Sequence, residues 1–162
     1  MDGNANQLML SLQAQCVKRE YCVQDIRRKA VEKLDGDRDA AEEVVQALIA
    51  DKFVSDARYA SAFAREKSSL QGWGAIKIRF MLRSKGISEE DVSAALGEIE
   101  PDKAASRLER LLQNKWHSLR DDPQGRLKLI KFALGRGYEY SDIEPLVKRI
   151  TASGEADDGG NC

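Results

Sequence analysis

Histidine, cysteine, proline and aromatic residues are all scarce in this 162-residue chain, which has one histidine, three cysteines, three prolines and 6% aromatics. The single histidine, His117, has no serine or cysteine partner at a recognisable spacing, so histidine-based catalysis is not expected. Cys16, Cys22 and Cys162 make an odd count, and the last closes a polar tail. That pattern does not suit a disulfide framework, and with His117 it forms no recognisable zinc set. Reduced thiols are expected, with Cys16 and Cys22 part-buried in a helical segment. The chain also lacks a G-x-x-x-x-G-K-[ST] loop, H-E-x-x-H, Cys-x-x-Cys and a nucleophile elbow. Asp35-Gly36-Asp37-Arg38-Asp39 fails the twelve-position calcium-loop spacing. No catalytic residue, metal or cofactor is expected. No run approaches the ~18 apolar residues of a membrane span, and Met1 to Gln7 has no basic stretch leading into an apolar one. A cytoplasmic protein with no membrane partner is expected.

With so little proline, long stretches are free to be helical, and helix signals are abundant. Ser88 and Ser141 each precede acidic residues at capping spacing. Pro101 and Pro123 suit a first helical position, where a missing N–H is harmless. Gly86 and Gly137 follow strongly helical runs and suit left-handed C-terminal caps. No sustained period-2 alternation indicates a strand. The sequence predicts an all-α fold.

The helices recur. Ile26 to Lys33, Ile78 to Gly86 and Leu129 to Gly137 are similar runs offset by about 50 residues. Each is preceded by a helix and followed by another: Val44-Val45-Leu48-Ile49, Val92-Ala95-Leu96-Ile99 and Ile143-Leu146-Val147-Ile150. The last two sets fall at i, i+3, i+4, i+7, one helix face. The expected architecture is three tandem three-helix repeats stacked into an elongated, curved array. Repeat 1 covers residues 8–55, a basic repeat 2 covers 56–100, and repeat 3 covers 101–150. Residues 1–7 and 151–162 are expected to be a disordered N-terminal tail and a disordered acidic tail. Such short units gain stability by stacking on neighbours. In the second repeat, Ile78, Met81 and Leu82 lie on one side of the helix and Ile76 and Phe80 roughly opposite, as if contacted on two sides. Tyr59, Phe63 and Phe80 are expected core residues. Trp73, between Gly72 and Gly74, could cap a repeat junction or face a partner.

A net charge of −1 conceals an asymmetry. Residues 1–51 are net −3, residues 89–162 are net −4, and residues 52–88 carry eight cations against Asp56 and Glu66, net +6. A partner feels that local field, within a Debye length of about 8–10 Å, more than it feels the average. The candidate binding residues are Arg58, Arg65, Lys67, Lys77, Arg79, Arg83 and Lys85, with Arg27, Arg28 and Lys29 of the first unit added. Arg58 has an alternative, an internal pair with a nearby carboxylate. Arg79 and Arg83, at i, i+4, share a stripe between the two apolar faces.

Phe53-Val54-Ser55-Asp56-Ala57-Arg58-Tyr59-Ala60-Ser61-Ala62-Phe63, Trp73-Gly74-Ala75-Ile76-Lys77-Ile78 and Leu82-Arg83-Ser84-Lys85-Gly86-Ile87 together resemble the RecX family of bacterial RecA regulators. They follow its D-x-R-[YF]-A-x-x-[FWY] and L-x-x-K-G-[IVF] patterns, with Tyr21 and Ile26-Arg27-Arg28-Lys29 adding a match in the first unit. The resemblance covers about residues 8 to 150. The departures are Leu34 and Lys52, where the family commonly has glycine, and Cys22, where serine is usual. The resemblance implies a non-enzymatic monomer that binds RecA and RecA–DNA filaments. It further implies inhibition of recombinase, ATPase and co-protease activities, and so modulation of DNA repair and the SOS response. Single- or double-stranded DNA is a further candidate partner. A helix-turn-helix-like DNA-binding transcription regulator is the alternative, since basic three-helix units serve both.

Overall fold

The computed structural model describes residues 1–160. Among them there are nine helices and no strand: α1 (Gly3–Lys18), α2 (Val23–Lys33), α3 (Arg38–Ala50), α4 (Asp56–Ser69), α5 (Ala75–Ser84), α6 (Glu89–Gly97), α7 (Pro101–Leu119), α8 (Gly125–Gly135) and α9 (Tyr140–Gly160). By internal contacts the chain divides into two compact units. The first joins residues Met1–Phe63 to Met81–Ala95, and the second joins Ala64–Phe80 to the chain from Leu96 onward. The division passes through α4, α5 and α6.

In the first unit, α1, α2 and α3 enclose a core of Leu12, Cys16, Ile26, Ala30, Val44, Val45 and Leu48, closed by Val54. In the second, α7, α8 and α9 enclose Leu108, Leu112, Leu129, Ala133, Ile143 and Val147. These positions recur at helical spacing, and full burial of each large aliphatic side chain stabilises the unit by about 1.5–3 kcal/mol.

Several local expectations meet the structure directly. Ser88 Oγ accepts from the Asp91 amide at 3.2 Å at the start of α6, and Pro101 opens α7. Gly86 and Gly137 have φ of 75° and 95°, left-handed as expected after helices. Cys16 and Cys22 are free and buried, and burial pushes both thiols up from their ordinary pKa.

Others need correction. Residues 3–7, expected as part of a disordered tail, are the first turns of α1: Asp2 caps the helix, its Oδ1 accepting from the Ala5 amide at 2.8 Å, and Ala5 is buried. A low-hydropathy stretch stays ordered here because one capping carboxylate and one buried alanine anchor it. Residues 151–160, expected as an acidic disordered tail, continue α9, and the remainder of that expectation, with Cys162, lies outside the described residues. Pro123 precedes α8 rather than opening it: its neighbour Asp122 accepts from the Gln124 amide at 2.8 Å, closing a turn. Ser141 is the second residue of α9, not its cap. Phe80, expected in the core, is 69% exposed, and Ile76 is 48% exposed, while Ile78 and Leu82 are buried. Only one of the two apolar faces of α5 is covered.

The two residues that break the family's glycine preference behave differently. Leu34 ends α2 at φ −103°, an ordinary value for any side chain, and the left-handed turn falls on Asp35 and Gly36. Lys52 itself adopts φ 65°, in the region where a Cβ is strained and glycine is not.

Candidate functional site

The Asp56-Ala57-Arg58 segment stitches the first unit together. Asp56 Oδ1 accepts from the Val23 amide at 2.8 Å, capping α2 from 33 residues away. Cys22, the residue preceding that helix, makes no side-chain capping bond. Burial raises the Asp56 carboxyl above its ordinary pKa, with the Val23 hydrogen bond opposing. Arg58 turns back onto the end of α3: Nη1 donates to the Lys52 carbonyl at 2.8 Å, Nη2 to the Phe53 carbonyl at 3.2 Å, and Nε to Glu20 at 3.1 Å. Its guanidinium satisfies two carbonyls and a carboxylate of its own unit, so the internal alternative weighed for Arg58 is the one the structure adopts.

Other first-unit cations are also engaged internally. Lys85 Nζ lies 3.0 Å from Asp25, with the two side chains 32% and 14% exposed. Burial pushes Asp25 up, but hydrogen bonds from Lys85 and Cys22 outweigh it and hold the carboxyl below its ordinary value. That hydrogen bond in turn raises the Lys85 ammonium. Arg28 joins the same carboxylate at 2.9 Å. Arg27 forks onto Glu42 at 2.8 and 3.0 Å; this bond, with one from Gln46, takes the Glu42 pKa down to about 2. Lys29 donates to Gln15 at 3.2 Å and sits over the Tyr21 ring at 4.8 Å. Arg83 pairs with Glu89 at 2.8 Å, both half exposed.

The second unit has ion pairs of its own, Lys128 with Asp122 at 2.6 Å and Arg149 with Glu109 at 2.7 Å, and also sets cations over two aromatic rings. The Trp73 indole carries Lys77 Nζ at 4.3 Å and Lys67 Nζ at 5.1 Å from its centroid. Three hydrogen bonds fix its position. The Trp73 amide donates to the Lys67 carbonyl at 2.9 Å, the Gly74 amide to the Arg136 carbonyl at 2.7 Å, and the Ile76 amide to the Gly137 carbonyl at 3.0 Å. Arg136 Nη1 donates to the Gln71 carbonyl at 3.0 Å, and its guanidinium lies 5.4 Å from the Phe132 centroid. Lys115 Nζ meets the same ring at 5.3 Å. Arg65 is exposed, and Arg79 is half-buried and engaged with another group.

Of the ten sequence-stated candidates, the structure therefore gathers Lys67 and Lys77 around Trp73 and leaves Arg65 exposed in the same unit. Arg58, Lys85, Arg27, Arg28 and Arg83 hold carboxylates. Sequence reasoning missed Arg136, Lys115, Arg107 and Arg110, which lie in the net-acidic last part of the chain. Their usable signal was the i, i+3 spacing of Arg107 and Arg110, which places both on one face of α7. Trp73 and Phe132 are each part-buried, with two cations apiece, a combination of positive charge and aromatic surface of the kind that nucleic-acid binders use.

Among the described residues the protein is all-helical, and its second unit sets cations over Trp73 and Phe132. Residues 55–96 match the family model for RecX, second three-helix domain, a span holding α4, α5 and nearly all of α6. The chain is 32% identical over 116 residues to Regulatory protein RecX of Clostridium botulinum, covering 69% of this chain and 54% of that one. It is 28% identical over 137 residues to Regulatory protein RecX of Salmonella paratyphi A, covering 79% and 82%. Its fold matches the crystal structure of RecX from Lactobacillus salivarius with a TM-score of 0.79 at 17% identity, over 91% of this chain and 96% of that one. It spans about half the length of the clostridial relatives it matches, 55% and 54%. Together these likenesses support a RecX family protein. Among the described residues no helix is long and apolar enough to cross a membrane.

Proposed function

We propose that this protein is a non-enzymatic regulator that binds RecA and RecA–DNA filaments and restrains their recombinase, ATPase and co-protease activities, acting in the cytoplasm on DNA repair and the SOS response. The observation that carries the reading is likeness to the RecX family, expressed in relatives named as regulatory proteins. The basic aromatic face of the second unit supports it physically. A nucleoprotein filament is anionic, and cations gathered around a ring offer it positive charge beside an aromatic surface. Within that face we assign Lys67, Lys77 and Trp73 the leading role, with Arg65 and Arg79 beside them. Arg58 and Lys85 are reassigned to holding the fold. Three serial repeats, at residues 8–55, 56–100 and 101–150, remain our description of its organisation.

The test is a titration of the purified chain against RecA filaments on single-stranded DNA at two salt concentrations, read by ATPase rate. Inhibition that weakens as salt rises, and weakens again in a folded Lys67→Glu/Lys77→Glu variant, is the expected result. ATPase rates unaltered at saturating protein would refute RecA inhibition. Binding of one operator sequence far above random duplex, without effect on RecA, would favour the transcription-regulator alternative.

A further inference from the structure

A cavity of about 360 Å³ opens in the second unit between the segment that follows α4, residues 68–72, and one face of α7. Its charged lining consists of Arg107, Arg110 and Arg136, and no carboxylate lines it. Arg107, Arg110, Leu111 and Asn114 stand at i, i+3, i+4, i+7, so a single stripe of α7 faces the opening. Three cationic residues and no carboxylate around one small space give it a positive potential that favours an anionic occupant.

Several backbone acceptors around the opening are already engaged. At the end of α4 the Glu66 carbonyl accepts from the Leu70 amide at 2.8 Å and the Lys67 carbonyl from the Trp73 amide at 2.9 Å. The Arg65 carbonyl accepts from Ser69 Oγ at 2.5 Å. The Gln71 carbonyl accepts from Arg136 at 3.0 Å and the Gly72 carbonyl from the Tyr138 hydroxyl at 3.1 Å. Arg149 takes the nearby Glu109 at 2.7 Å. Among the described residues no carboxylate forms an ion pair with Arg107 or Arg110, although Arg107 also lines a neighbouring cavity that contains Glu139 and Asp142.

We infer that this cavity is an oxyanion site that takes a phosphate group, with Arg107 and Arg110 as its principal donors and Arg136 as a fixed third cation. Guanidinium presents a planar pair of N–H donors matched to phosphate oxygens, and two forks on one helix face supply bidentate contact. The phosphate has two chemical sources, a phosphodiester of a single strand or free phosphate. The inference makes no use of RecA, so it stands or falls separately from the function proposed above.

Two probes are applied to the full chain without RecA. Inorganic phosphate is followed by the arginine Nε–H resonances, and a short oligothymidylate by fluorescence anisotropy at low and moderate salt. At least one probe is expected to bind with displaced Arg107 and Arg110 resonances, and Arg107→Gln/Arg110→Gln is expected to weaken that probe tenfold or more. For the oligonucleotide, losing two phosphate contacts should also flatten the slope of log affinity against log salt by about 1.4. A response to inorganic phosphate identifies a free-phosphate site; a response confined to the oligonucleotide identifies a strand phosphodiester. If the double variant does not fold, Arg110→Lys, which keeps charge but loses the fork at an exposed position, should still weaken the responding probe measurably. The inference is overturned if neither probe moves the two arginines in the wild-type chain. It is equally overturned if folded variants bind both probes as the wild type does.

Discussion

Gly74 and Gly137 meet backbone to backbone in the second unit: a Cβ on Gly74 would collide with the Gly137 carbonyl, and one on Gly137 would collide with Lys77. The Ile76 amide donates to that same Gly137 carbonyl at 3.0 Å. The contact fixes where Trp73 and Lys77 stand, so the aromatic face depends on two residues without side chains.

Gly74→Ala should therefore destabilise the protein by about 1–3 kcal/mol, the usual effect of forcing atoms into a packed site. It should also disturb the indole environment. Thermal unfolding and tryptophan fluorescence check both; a variant with unchanged melting and emission would contradict the backbone contact.

Lys52 holds a left-handed φ of 65° that glycine adopts without strain. Lys52→Gly is expected to be neutral or stabilising by up to about 1 kcal/mol, relief of strain outweighing the added freedom of the unfolded chain. Most glycine substitutions have the opposite sign. Denaturant midpoints at constant slope give the comparison.

Arg58→Ala removes the bonds to the Lys52 and Phe53 carbonyls and to Glu20. A loss of about 1–2 kcal/mol is expected, since hydrogen bonds to a charged donor exceed neutral ones while solvent screens this half-exposed group. Any change in RecA regulation should follow that loss and disappear at a temperature where the variant is fully folded. A functional defect in a variant of unaltered stability would return Arg58 to the binding face.

The Asp25–Lys85 pair makes a prediction about pH. Asp25 has its folded pKa below the ordinary 3.8, so its contribution is present above that value and is lost as pH falls through the folded one. Lys85 is raised above the ordinary 10.5, so its contribution is complete below that value and is lost only as pH rises beyond it. Asp25→Asn should thus be less stable than wild type by about 1–2 kcal/mol at neutral pH, with the gap closing in acid as the pH falls below the ordinary carboxyl value and through the lowered folded one. Urea titrations across acid and neutral pH measure the gap; one independent of pH would argue against the ion pair. Glu42, though taken to about 2, shares a half-exposed pair with Arg27 and should add less than about 1 kcal/mol.

The helices were legible from residue order because they depend on local features: apolar spacing, Ser88 and Pro101 at helix starts, Gly86 and Gly137 at helix ends. Asp2, inside an unremarkable polar stretch, escaped notice as a cap, since its value depends on Ala5 being buried. Phe80 was misplaced because a helix with two apolar faces shows only that both could be covered. The basic block was visible as composition, yet its use was not. Arg58 and Lys85 find Glu20 and Asp25 at separations of 38 and 60 residues, while Arg107, Arg110 and Arg136 gather from a segment whose net charge is acidic.

Sequence alone determined that this chain is helical, assembled from recurring short helices, and free of recognisable catalytic motifs, because each property depends on neighbours within a few turns. Tertiary structure decided which cations are consumed by internal carboxylates and which stand over rings or line an acid-free cavity. Hydrogen bonds need partners about 3 Å apart and Coulombic attraction weakens as charges separate, and only the folding of distant helices onto one another sets those separations.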